Sequence, residues 1–241
     1  MKSYKARGIV LNTVKYGDTS MVAHLLTDAF GRQSYMVQGV RSSKGRGSKM
    51  ALFQPMFALE YEGLSSPKME MHRLREVRNG IVLKSMPYDV RKSTIALFMA
   101  ESLYRLIGES EANQPLFDFV WGSVEALDEL QEGVANFHLW FLANISRFLG
   151  FSPGNEYTAG SWFAMREGLF TPVMPLHDNV ICREYAEVFR DLLECDVRCL
   201  GEIGLNRKQR VEILDALVAY YTVHLDSIRH VQSIRILQEV F

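Results

Sequence analysis

Between Arg32 and Lys49 this 241-residue chain places five cations with no acidic residue to neutralise them. The segment reads GRQSYMVQGVRSSKGRGSK, its charge comes from Arg32, Arg41, Lys44, Arg46 and Lys49, and no Asp or Glu occurs between Asp28 and Glu60. Five Ser or Gly residues after Val40 make its second half turn-prone. Guanidinium and ammonium groups two or three residues apart on such a backbone can each reach a phosphate, and glycines admit backbone amides to the same strand. The chemistry is polyanion binding. Tyr35, Phe53 and Phe57 flank the loop, and an exposed ring among them would contribute about 1–3 kcal/mol per stacked base. Tyr35 is the stacking candidate, weighed against the need of a small barrel for large side chains inside.

Other chemistries lack their residues. Gly45-Arg46-Gly47 is not followed by a third glycine at dinucleotide-loop spacing, and there is no P-loop, no Gly-x-Ser-x-Gly and no His-Glu-x-x-His. Residues 29–59 contain no carboxylate, which argues against metal-assisted phosphodiester cleavage there. Cys195 and Cys199 could share a helix face, but no second cysteine or histidine pair completes a zinc set, and Cys182 stands apart. No catalytic residue, metal or cofactor is expected. The three cysteines suit reduced thiols, and no apolar run has the length of a membrane span or signal peptide, so a cytoplasmic protein is expected.

The elements that must position the loop follow from patterning. Residues 1–80 hold 13 Lys and Arg against 6 acids, net +7, whereas residues 81–241 hold 14 against 22, net −8. A positive body joined to a negative one implies a polyanion for the front and a different partner for the back. In the front, β-branched and aromatic runs predict five strands near Arg7–Val14, Met21–Thr27, Gln33–Val40, Ala51–Tyr61 and Lys68–Glu76, enough to close a small barrel. After Asn79-Gly80 the period changes to that of helices: Ile95 to Leu106, Phe117 to Leu127 and Phe137 to Phe148, then Arg183–Glu194, Arg207–His224 with Val211, Leu214, Val218 and Tyr221 on one face, and Ser227–Val240. Ser161–Met165 and Leu169–Val173 around Arg166-Glu167-Gly168 predict a hairpin within the helical half. The fold class is α+β, with a 1–80 nucleic-acid-binding barrel and an 81–241 helical domain carrying a hairpin insertion at about 157–177.

These residues resemble the RecO family of bacterial recombination mediators. The likeness is most specific over ARGIVLNTVKYGDTSMVAHLLTDAFGRQSYMVQGVRSSKG, continues through FQPMFALEYE, and returns in NRKQRVEILDALVAYYTVHL and SIRILQEV. It implies an OB-fold barrel followed by a helical domain, and a protein that binds single- and double-stranded DNA and anneals strands without breaking bonds. It further implies work with RecR, docking of the acidic tail of single-stranded-DNA-binding protein on the helical domain, and indirectly the loading of RecA. Carried over by position, DNA contact falls on Arg32, Arg41, Lys44, Arg46 and Lys49. Many family members have a four-cysteine zinc module; the matching stretch here, about Gly150 to Cys182, holds one cysteine, so a zinc-less hairpin packed by Trp162 and Phe163 is expected.

An acidic tail needs a local cation beside an apolar pocket on the negative half, and Arg105, Arg147 and Arg207, the last within an Arg207-Lys208-Arg210 cluster, are the candidates. The rival reading is a non-catalytic adaptor whose barrel holds protein and never touches DNA.

Overall fold

A computed structural model describes residues 2–40, 49–65, 71–108, 112–154 and 156–241. Five strands, β1 (Lys2–Tyr16), β2 (Ser20–Thr27), β3 (Gly31–Val37), β4 (Ala58–Ser65) and β5 (His72–Asn79), close a barrel in the order β1-β2-β3-β5-β4. That is the strand order of an OB fold, with the parallel β3–β5 pairing Tyr35↔His72 and Met36↔Arg73 closing the wall. Gly17, at φ +62°, makes the tight β1–β2 reversal that a side chain would strain.

The sequence runs Ile9-Val10-Leu11 and Leu25-Leu26 are apolar without alternation because β1 and β2 bury both faces. Val10 and Leu25 fill the barrel, while Ile9, Leu11 and Leu26 join the core of the helical body. An irregularity between Val10 and Asn12 accompanies this double duty. Barrel and helices therefore share one apolar interface rather than hanging from a linker.

The fourth strand begins later than the pattern suggests. Lys49–Leu52 is a 3-10 turn, Phe53 to Phe57 is irregular, and pairing starts at Ala58. Pro55 has no N–H to donate, and Met56 is held at φ +62° by its N–H to the Val10 carbonyl, 2.8 Å. Strand β5 is His72–Asn79; the expected beginning of this strand, Lys68 to Glu70, lies outside the described residues.

The helical body comprises α1 (Val90–Leu106), α2 (Gln114–Glu129), α3 (Phe137–Ile145), α4 (Arg183–Glu194), α5 (Arg207–His224) and α6 (Ser233–Val240). Asp89, Asn113 and Asn206 cap α1, α2 and α5 with side-chain acceptors, as their residue types dictate. Helix α3 is central, with Phe137, Leu139, Phe141 and Leu142 all buried. On α5 the buried face is Ile213, Leu214, Leu217, Tyr220 and Tyr221, so Val211 and Val218 are only half-buried. The tyrosine pair sets that rotation: Tyr220 Oη donates to the Phe151 carbonyl (2.6 Å) and Tyr221 Oη to the Leu142 carbonyl (2.7 Å). The expected last helix breaks into a 3-10 turn (Asp226–His230) and α6, because the Glu101 carboxylate accepts from Gln232 N, Ser233 N and Ser233 Oγ at 2.6–3.0 Å and starts a new helix there.

The hairpin forms as β6 (Trp162–Ala164) and β7 (Leu169–Thr171), extended by a third strand, β8 (Val180–Ile181). Phe163 is fully buried and meets Phe170, Phe189 and Tyr220 with ring centroids 4.8–5.1 Å away. Trp162 is half-buried beneath the Arg183 guanidinium.

Residues 80–89 join the two bodies and are clamped. A Cβ on Gly80 would lie 2.6 Å from the Trp121 ring. The Asp128 carboxylate accepts from the backbone N–H of Lys84, Ser85 and Met86 (2.7–3.1 Å), and the buried Lys92 ammonium donates to Ser85 Oγ and the Asp128 carbonyl, each at 2.7 Å.

Candidate nucleic-acid interface

The basic loop leaves the barrel where Val40 N donates to the Thr19 carbonyl at 2.9 Å, tying the end of β3 to the β1–β2 turn. Arg41, Lys44 and Arg46 lie outside the described residues. The backbone of Lys49 opens the 3-10 turn through which the chain re-enters the barrel.

Strand register divides the outer barrel wall in two. One row runs Val14↔Val22↔Met36↔Arg73 across β1, β2, β3 and β5, next to the loop root, with exposed Val14 and Arg73 at its ends. Tyr16, 60% exposed, stands on the same face one pair further out, opposite Ser20. The row through Asn12↔His24↔Ser34, lower on the wall, leads to α1, where the His24 and Tyr104 rings lie 5.1 Å apart. Helix α1 thus closes the lower wall and leaves the upper wall open beside the loop. Arg73 is exposed there and has no ion-pair partner among the described residues, whereas Arg75 is 3.7 Å from Glu62; Lys15, exposed at the tip of β1, belongs to the opposite parity, in register with Met21 and Val37.

Arg32 does not join this surface. Its Nη1 donates to the Tyr104 carbonyl at 2.6 Å and its guanidinium sits 5.0 Å over the Tyr104 ring, so it anchors barrel to α1. Tyr35 requires a correction as well: it is 0% exposed, in the barrel core, and has no face for a base. Its Oη is 2.7 Å from Tyr61 Oη and accepts from Tyr4 Oη at 3.3 Å. Burial first, then the neighbouring Tyr61, raise its phenol far above the ordinary range, so it stays neutral. Inward alternation around a small barrel is the reason: Tyr35 shares its parity with buried Val37.

Among the three candidates for tail docking, two already hold helix ends. Arg147 Nη2 donates to the Leu193 carbonyl (2.7 Å) near the end of α4, and Arg207 Nη2 to the Gln238 and Glu239 carbonyls (3.1 and 2.9 Å) near the end of α6. Arg105 is exposed and lines a crevice of about 260 Å³ between β1 and α1, with Phe53, Pro55, Leu97 and Tyr104 as its apolar wall. Glu101 shares the crevice, but its carboxylate is turned to the start of α6. Burial pushes the Glu101 carboxyl up; the Ser233 hydroxyl and the Gln232 and Ser233 N–H groups, with Arg105 nearby, more than reverse this and hold it below its usual range.

Sequence reasoning missed Tyr16 and Arg73. Tyr16 was legible as the last residue before a glycine turn, where an aromatic at a strand tip has no core to enter. Arg73 is on the surface by a parallel pairing that no local pattern announces. Among the described residues, no three His, Cys, Asp or Glu side chains cluster as metal ligands. The arrangement has the charge and the exposed ring that an extended anion would need.

The family model Recombination protein O N terminal matches residues 1–79, and Recombination protein O C terminal matches residues 87–233. The DNA repair protein RecO of Bacteroides fragilis is 38% identical over 239 residues, that of Phocaeicola vulgatus 36% over 238, and that of Flavobacterium psychrophilum 33% over 237; each alignment covers 98% of both chains. With both halves matched by their own models and full-length relatives above 30% identity, the chain belongs to the RecO family of DNA repair and recombination proteins.

Proposed function

We propose that this chain is a cytoplasmic recombination mediator that binds single-stranded DNA on the open upper wall of its barrel and anneals complementary strands. The barrel, residues 1–80, is the nucleic-acid unit, and residues 81–241 are the docking unit. The observation that carries the reading is the Val40–Thr19 hydrogen bond, which roots the basic loop beside exposed Tyr16 and in the same end of the barrel as Lys15 and Arg73. Arg41, Lys44, Arg46 and Lys49 neutralise phosphates of two strands that would otherwise repel each other, and the strands read each other's sequence. Tyr16 replaces Tyr35 as the stacking platform, since it has an open ring face.

Docking of an acidic, Phe-ended tail of single-stranded-DNA-binding protein fits the Arg105 crevice: a carboxylate would meet the guanidinium while the ring enters the apolar wall. Together with RecR, such contacts would bring RecA to covered strands. No bond is made or broken in this scheme.

The test is strand annealing followed by quenching of dye-labelled complementary oligonucleotides. Native protein should accelerate annealing at low salt, and Arg41→Ala/Lys44→Ala/Arg46→Ala should remove most of that acceleration with its fold intact. Equal acceleration by both proteins would overturn the assignment of the loop.

A further inference from the structure

The helical body has a groove of about 940 Å³ between α2, the linker and the 3-10 turn Val197–Glu202. Its floor is apolar, from Leu130, Val197 and Val82, the last 73% exposed, and its rim carries Glu125, Glu129, Glu132 and Asp196. None of these four carboxylates has an ion-pair partner among the described residues, and the cations lining the groove are Lys84 and Arg198 alone. An acid-rimmed trench with an uncovered apolar floor fits a segment rich in cations and free of acids. The chain itself contains one: residues 41–49, with four cations and no acid.

Strand register decides between a molecule's own loop and another's. The loop root lies at the Lys15↔Met21↔Val37 end of the barrel, whereas the linker leaves at the Gly8↔Leu59↔Asn79 end. Seven residues of β1 separate the two ends, about 23 Å at about 3.3 Å per residue. A loop of this length tethered at both ends extends at most about 15 Å from its root. Its own groove is out of reach, while that of a neighbour is not.

We propose that the acidic groove receives the basic loop of a second copy of this chain, so that the free protein associates head to tail and single-stranded DNA, competing for the same loop, releases it. This rests on the reading of the loop as the phosphate-binding element. The contact joins unlike surfaces, so it adds copies in series rather than closing a two-fold dimer. Being largely ionic at an exposed rim, it weakens as salt rises.

Sedimentation velocity of the full chain tests it, using native protein, a groove variant (Glu125→Lys/Glu129→Lys/Glu132→Lys) and a loop variant (Arg41→Ala/Lys44→Ala/Arg46→Ala). Native protein should sediment faster with concentration at low salt, return to monomer at high salt, and return to monomer when a single-stranded oligonucleotide is added. Each variant alone should stay monomeric, but their mixture should form a complex, because the groove variant keeps its loop and the loop variant keeps its groove. At a salt concentration where native protein is monomeric, the groove variant should bind the oligonucleotide within about twofold of native, since exposed carboxylates outside the interface act on it only through screened long-range repulsion. A neutral Glu125→Gln/Glu129→Gln/Glu132→Gln variant with native melting temperature repeats the test without added charge. A monomeric native protein at low salt, a mixture that stays monomeric, or a loop variant that still associates would each overturn the proposal. Failure of native protein to bind the oligonucleotide would instead strike the DNA reading itself.

Discussion

The guanidinium of Arg32 donates to the backbone carbonyl of Tyr104 at 2.6 Å and lies 5.0 Å over the same residue's ring, fastening β3 to α1. A second barrel arginine does the same work on α2: Arg7 pairs with Asp28 at 3.1 Å and stacks over Phe117 and Trp121 at 5.1 and 5.2 Å. These contacts fix which part of the barrel wall α1 covers, and hence which part it leaves uncovered.

Arg32→Ala should therefore lower stability rather than DNA affinity. Loss of a charged hydrogen bond to a carbonyl costs about 1.5–3 kcal/mol, which in a chain of this size lowers the melting temperature by about 2–4 °C per kcal/mol. Oligonucleotide affinity of the folded variant should stay within about twofold, the change expected from one remote charge. A drop comparable to that of the loop variant, with unchanged melting, would return Arg32 to the DNA surface.

Tyr35 is buried where the sequence-based expectation made it a stacking face, Tyr16 is exposed, and paired variants separate the two. Tyr16→Ala removes an exposed ring and should weaken single-strand binding by about 1–3 kcal/mol, roughly 5- to 150-fold, without lowering the melting temperature. Tyr35→Phe should do the reverse, costing about 1 kcal/mol of stability because Tyr61 Oη loses its partner in the barrel core.

Much of the fold was legible in the sequence for reasons that also explain where legibility stopped. β-Branched and aromatic runs with a glycine turn announce β1 to β3, and the capping residues Asp89, Asn113 and Asn206 mark helix starts, because these are local choices. The late start of β4 depends on Met56 bonding to Val10, and the break before α6 depends on Glu101, both long-range partners. Charge located the basic loop; alternation alone placed Tyr35 on a strand without saying which face, and the inside of the barrel claimed it.

The linker clamp gives a pH dependence. Burial pushes the Asp128 carboxyl up, but the N–H groups of Met86, Lys84 and Ser85 and the Lys92 charge outweigh it and hold the carboxyl below its usual range. A depressed folded value means stability that is full above the unfolded value, about 3.9, and is lost as pH falls below it towards the folded one. Asp128→Asn should cost about 1–3 kcal/mol at neutral pH, because a neutral amide has one oxygen to accept from the Lys84, Ser85 and Met86 N–H groups and no charge to strengthen those bonds. Chemical denaturation across pH should show that difference constant above about pH 5 and shrinking below about pH 4. A difference that persists undiminished in acid would show that Asp128 acts by shape and not by charge.

The hairpin offers a metal test. Phe163, Phe170, Phe189 and Tyr220 form a closed ring cluster, so the sheet should keep its cohesion under a strong chelator. Melting temperature should be the same before and after chelation, and Phe163→Ala should cost about 3–5 kcal/mol through the cavity it leaves. Near-stoichiometric zinc in purified protein, lost together with stability on chelation, would contradict this.

The most direct test of the central claim is fluorescence anisotropy of a labelled single-stranded oligonucleotide across a salt series, with native protein and an Arg41→Ala/Lys44→Ala/Arg46→Ala/Lys49→Ala variant. Each phosphate contact contributes about −0.7 to the slope of log affinity against log salt, so four loop cations acting on phosphates should make the native slope steeper than the variant's by about 2.8. Binding whose affinity and slope are the same in both proteins would show that the loop is not the phosphate site, and absence of native binding at low salt would leave the barrel as a protein-holding adaptor.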